Sequence, residues 1–138
     1  MNDIKNAVIK IISTINGDEI YNEYTGEYMY QNGIHTIAYS SYSGTELTKN
    51  GIQASENVML LHREGAFEGD MYFDVNSDTV VRYDALMVRA GFLLHTEEYS
   101  LDFKEDEVNI AAEYILTDGS GQDDIHCRQE ILVKSECI

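Results

Sequence analysis

Almost every stretch of this chain reads as a β-strand, and the strands follow one another with hardly a gap. Runs of alternating apolar and polar residues recur roughly every ten residues, the spacing of a β-sandwich or barrel. Val108-Asn109-Ile110-Ala111-Ala112-Glu113-Tyr114 is one such run, and Ile125-His126-Cys127-Arg128-Gln129-Glu130-Ile131 is another. A single antiparallel meander must either close on itself or leave two raw edges. Pro is absent from all 138 residues, which suits long paired strands because each Pro would remove a ladder donor. The expectation is an all-β, closed antiparallel barrel of about eight to ten strands forming one domain.

Turn chemistry places the breaks. Asn16-Gly17-Asp18 supplies the positive-φ residue of a tight hairpin, and Asn32-Gly33 turns the chain again. Strand two, about Glu19–Gln31, has Ile20, Tyr24, Tyr28 and Tyr30 in phase, with Gly26 read as a bend or bulge. Asn50-Gly51 would split Thr45–Ser55 into two stubs, and one strand over Thr45–Ala54 bulged at Gly51 is the better ladder. Gly65 to Gly69 reads as a turn. Leu86–Ala90 is the least periodic part and reads as an irregular or short helical connection. Gly91–Glu97 and Tyr99–Lys104 are either two strands or one bent strand. Asp74-Val75-Asn76-Ser77-Asp78 mimics the start of a calcium loop, but Thr79 and Ala85 stand where such a loop needs Gly and Glu. It reads as a hairpin turn.

Twenty-five acidic residues against nine basic ones give a net charge of −16. Binding phosphates takes clustered Lys and Arg, and the few here are scattered, which argues against nucleic acid and anionic membranes as partners. The acidity serves solubility, or it attracts a basic protein or a cation. No signal peptide, membrane span or cofactor motif is present. Cys127 and Cys137 in one extended strand would lie too far apart to bridge, and two reduced thiols fit a cytoplasmic protein.

The chain resembles the YwiB-like family of functionally uncharacterised bacterial proteins, on residues spread from about Ile4 to Lys134. The marks are Tyr24-Thr25-Gly26-Glu27-Tyr28, Tyr39, and Leu61-His62-Arg63-Glu64-Gly65, which looks like the family's apolar-x-Arg-x-Gly run. Tyr83 after Thr79-Val80-Val81-Arg82 and Thr96 after Phe92-Leu93-Leu94-His95 fit more loosely. The resemblance implies a calycin or lipocalin type of barrel with room for an interior ligand. It brings no established activity.

Five residues are the candidates for an interior or mouth site: Arg63, Tyr24, Tyr28, Tyr39 and Tyr83. Arg63 ends an apolar strand, and its guanidinium fork suits a carboxylate ligand. The commoner role of such an Arg is pairing within the protein, in which case Arg63→Ala would destabilise the fold. The tyrosines could orient a ligand, though cross-strand packing is the usual use of such residues. The histidines show no zinc spacing, and no catalytic motif stands out. The expectation is therefore a non-enzymatic barrel for a small apolar or carboxylate-bearing molecule, without cofactor or metal. The alternative is a side-chain-filled barrel whose acidic outside meets a basic protein or a second copy.

Overall fold

A computed structural model describes residues 4–65, 67–85, 88–117 and 124–135, with residues 43, 67, 82–85 and 88–91 described by backbone alone. Ten strands run in order: β1 (Lys5–Ile15), β2 (Asp18–Gln31), β3 (Ile34–Ser43), β4 (Glu46–Ala54), β5 (Val58–Gly65), β6 (Phe67–Asp74), β7 (Thr79–Ala85), β8 (Val88–Lys104), β9 (Glu107–Thr117) and β10 (Ile125–Ser135). Each pairs antiparallel with its sequence neighbour. The β1–β10 ladder, from Ala7↔Ser135 to Ile15↔Cys127, closes the ring. No strand is left at an edge of the ring, although β2 and β3 pair only over 26–31 with 34–39 and β6 and β7 only over 67–70 with 82–85.

The hairpins follow their turn residues. Asn16 and Gly17 have φ of 48° and 89°, and Asn32 and Gly33 have 52° and 79°. Two successive positive-φ residues make the tight turn whose twist matches the flanking strands. At the head of the β6–β7 turn, the Asp74 carboxylate accepts from the Asn76 backbone N–H at 3.0 Å. That is a capped hairpin turn, as the failed calcium pattern implied.

Four local expectations are corrected. Gly51 does not carry a bulge: it pairs in continuous register with Ala38 on one side and His62 on the other. Gly26 is also in continuous register, between Ala7 and Tyr39. A Cβ at Gly26 would stand 2.2 Å from the Ala38 carbonyl oxygen and 2.9 Å from Ile9 Cδ1, so Gly26 is there for close approach. The strand resumes at Phe67, well before Gly69. Val88–Ala90 belongs to β8 and pairs with Tyr83–Ala85, and residues 86–87 lie outside the described residues. The real bulge lies between Thr96 and Glu98, and it makes 91–104 one bent strand.

Strand alternation sorts the side chains. Ile9, Ile37, Ile52, Met59, Phe73, Leu94, Val108, Ile110, Ile131 and Val133 point inward and are essentially inaccessible to water. They fill the middle of the barrel and the end beside the β2–β3 and β8–β9 turns. At that end Tyr28 and His35 are buried, with Tyr30 and Phe103 packed against the imidazole. The outer faces carry charge, as in Lys10, Glu23 and Glu27. This is the reverse of the apolar-out pattern of an outer-membrane barrel.

Candidate functional site

The Leu61–Gly65 run shows how the sequence builds the open end. Leu61 points into the core and His62 outward, Arg63 inward and Glu64 outward. Gly65 ends the strand at φ 124°, where a Cβ would lie 2.3 Å from the Leu47 carbonyl oxygen. Only Gly meets both demands. The run thus docks β5 tightly on β4 and leaves Arg63 as the last inward side chain before the turn.

A register band continues sideways from Arg63. Arg63 pairs with Asn50, Asn50 with Tyr39, and Tyr39 with Gly26. On the other side Arg63 faces Gly69, and Gly69 faces Tyr83. Gly69 has no side chain to interpose between Arg63 and Tyr83, but the Tyr83 side chain lies outside the described residues. Tyr24 and Tyr39 stack with ring centroids 4.6 Å apart. The Asn50 amide nitrogen donates to the Ser41 hydroxyl at 3.0 Å.

Among the described residues Arg63 has no carboxylate and no hydrogen-bond acceptor. Its charge is still felt: it partly offsets the burial that pushes the Tyr39 hydroxyl up to about 12. It acts likewise on Tyr114, whose pKa burial raises. These hydroxyls are therefore neutral donors at physiological pH.

The carboxylates stand elsewhere. On β2 through β6 they occupy outward positions, as in Glu23, Glu27, Glu64, Glu68, Asp70 and Asp74. The exceptions by strand phase, Asp18 and Glu46, are exposed at hairpin ends. Arg63 is thus a half-buried cation on the inner wall of an acidic protein, with its potential partners on the far side of that wall.

Of the five residues expected at a site, Arg63, Tyr24 and Tyr39 come together. Tyr28 does not: it is 5% exposed at the closed end, bonded to His35 at 2.7 Å. Sequence reasoning missed Asn50, Thr96, Tyr114 and Gln129. All four are buried. Polar Asn50, Thr96 and Gln129 interrupt an inward row of apolar side chains, a signal that becomes readable only once strand phase is known.

The outer wall has its own concavity, a groove of 610 Å³ lined by His62, Glu64, Glu68, Asp70 and Val80 with Arg63 and Gly69 of the ladder between them. His62 Nε2 is 2.8 Å from Glu64 and Nδ1 contacts Asp70. These hydrogen bonds, Glu64 first, raise the His62 pKa.

Among the described residues, the thiol and the phenols at the mouth have pKa values shifted upward. Cys127 is a free, buried thiol whose pKa burial raises, whereas a nucleophilic thiol needs the opposite shift. The phenols are shifted upward as well.

The fold has a solved counterpart. The YwiB protein of Bacillus subtilis, known from a crystal structure, superposes with a TM-score of 0.84 over 97% of this chain and 94% of that one, at 18% identity. At that identity the likeness speaks for the fold alone. The chain matches no curated protein. A family described as a domain of unknown function, DUF1934, matches residues 4–127. The chain belongs to that YwiB-like family of β-barrel domains.

Proposed function

We propose that this is a non-enzymatic, calycin-like binding barrel that takes a small carboxylate-bearing molecule at its open end, with Arg63 as the anchor. The observation that carries this reading is the inward Arg63 without a partner among the described residues. Holding a guanidinium away from bulk water is costly unless it is paired. A bidentate carboxylate would supply that pairing in the geometry the fork favours. Neutral Tyr39 and Tyr114 hydroxyls add donors around the same anion. Titratable groups with pKa values pushed away from neutrality support a binding rather than a catalytic role. A reduced Cys127 and the acidic outer face support a cytoplasmic setting.

Native mass spectrometry of the protein as expressed, followed by calorimetric titration of Arg63→Gln and Arg63→Lys, tests the reading. Bound carboxylate in the wild type and its loss in Arg63→Gln are expected. Lys should recover little, because it lacks the planar fork. Equal binding by wild type and Arg63→Gln would refute it.

A second reading draws on the outer groove, whose Glu64, Glu68 and Asp70 suit a basic protein partner. Affinity purification at low and high salt tests it, since such contacts weaken as salt rises. Retention that ignores salt would refute this alternative.

A further inference from the structure

A second set of polar groups lies on β8 and β10, the strands on either side of the Tyr114 on which the Arg63 charge acts. Thr96 is 2% exposed, and its Oγ1 is buried without a hydrogen-bond partner among the described residues. A buried hydroxyl left unmatched is destabilising, so natural interiors seldom keep one without cause. Thr96 sits at the bulge of β8, where Glu97 is the extra residue. Bulges of this kind re-aim a side chain and are common beside functional sites. Here Thr96 and Tyr99 both face inward although three residues apart, a spacing that ordinary strand alternation forbids.

The neighbours of Thr96 tie it to the mouth. Thr96 pairs with Tyr114, and Tyr114 pairs with Cys127. Tyr114 is also one of the two tyrosines on which the Arg63 charge acts. From β9 its ring meets Phe73 of β6 edge-on, with centroids 4.8 Å apart. Since β7 and β8 separate those strands in the wall, this contact crosses the interior and floors the mouth. Gln129, 8% exposed, adds an amide on the inward face of β10 with no partner among the described residues.

Resting on the Arg63 reading, we propose that the ligand is a compact aromatic carboxylate carrying a second hydrogen-bonding group such as a hydroxyl, and that Thr96 recognises that group. The carboxylate goes to Arg63 and the second group to Thr96, with Tyr114 between them. Compactness follows from the interior: Phe73 in the floor and Ile110 and Ile131 beneath it are 0–1% exposed, which leaves no channel for an aliphatic tail. Aromatic character follows from the walls, where the stacked Tyr24–Tyr39 pair and Tyr114 present faces and edges suited to another ring. A site built to bond a substrate hydroxyl discriminates strongly against the analogue lacking it.

Calorimetric titration of the full chain with benzoate, 3-hydroxybenzoate, 4-hydroxybenzoate, phenol and decanoate tests this. In the wild type at least one hydroxybenzoate should bind about 10-fold tighter than benzoate, the effect of one matched hydrogen bond. Thr96→Val should abolish that preference without weakening benzoate, and Thr96→Ser, which retains the hydroxyl, should preserve it. Thermal melts of each variant confirm that the fold is kept. Should benzoate or decanoate bind as well as the hydroxybenzoates, with Thr96→Val silent and Arg63→Gln inactive, the role of Thr96 falls and that of Arg63 stands. Absence of binding by every carboxylate, or binding that survives Arg63→Gln, overturns both.

Discussion

The Tyr28 hydroxyl and Nδ1 of His35 lie 2.7 Å apart in the closed end of the barrel, where neither residue is more than 5% exposed. With the imidazole neutral, the tautomer decides which of the two donates: the hydroxyl to Nδ1, or Nδ1–H to the phenolic oxygen. Tyr30 stacks obliquely on the ring at 4.6 Å and Phe103 meets it edge-on at 4.7 Å. A charged imidazolium has no place in this nest, and burial lowers the His35 pKa below its ordinary 6.5.

Acid should therefore loosen this end. Above pH 6.5 both the folded and the unfolded His35 are neutral and contribute no pH dependence. Below it the unfolded chain takes up a proton that the folded one resists, so stability falls until the lowered folded pKa is reached. His62 runs the other way: its raised pKa gives stability that is full below 6.5 and lost as pH rises through the folded value. Melting temperature against pH should be flatter on the acid side in His35→Phe, while His62→Gln should lose the high-pH decline. Parallel curves for all three proteins would contradict the assignment.

Alkali should act through the phenols. Burial raises Tyr28 and Tyr39 to about 12 and pushes Tyr99 and Tyr114 upward too. Their stabilising contribution is complete below pH 10 and is lost as pH climbs toward 12, because the unfolded chain ionises first. Phenolate absorbance should show Tyr28, Tyr39, Tyr99 and Tyr114 ionising late, together with loss of near-ultraviolet circular dichroism. Arg63→Gln should delay Tyr39 and Tyr114 further, since it removes the cation that favours their charged forms.

Three glycines separate close approach from mere turn chemistry. Gly65→Ala adds a Cβ at 2.3 Å from a carbonyl oxygen in a positive-φ conformation, and Gly26→Ala adds one at 2.2 Å. Each should cost roughly 2–4 kcal/mol in denaturant unfolding, from backbone strain and overpacking. Gly51→Ala meets nothing within 4 Å and should be neutral or stabilise by up to about 1 kcal/mol through the unfolded chain. A costly Gly51→Ala would mean that this part of β4 is strained after all.

Arg63 should prove dispensable for folding. Without a partner to orphan among the described residues, Arg63→Gln should change unfolding free energy by less than about 1 kcal/mol. Ile110→Ala, by contrast, empties a site that is 1% exposed and should cost about 2–5 kcal/mol. If the two variants were equally unstable in urea, Arg63 would be a structural residue.

Much of this was legible from alternation and turn residues, which report local backbone preference. Asn16-Gly17 and Asn32-Gly33 behave as such pairs do, and the Pro-free strands close. Gly51 and Gly26 misled because a strand glycine signals either a bulge or a close neighbour, and only the packing partner decides between them. The bulge at Glu97 has no such mark: it lies in a run of ordinary strand residues. Tyr28 fell in phase with Tyr24, but alternation gives the face of a strand and not the end of the barrel. The Arg63–Tyr39–Tyr114 grouping joins three distant strands and needed the closed register to be seen.

The sorting of charge between the two sides of the wall has a kinetic consequence. An anion approaching Arg63 must first cross the field of a molecule carrying −16 net charges, whose sign repels it. Capture would then run against electrostatic steering, and added salt would speed association by screening the repulsion, with the Debye length falling from about 10 Å at 0.1 M to about 3 Å at 1 M. Such a shell disfavours the small inorganic anions that reach any open cation. It leaves the site to guests whose rings gain enough from the aromatic mouth to offset the crossing.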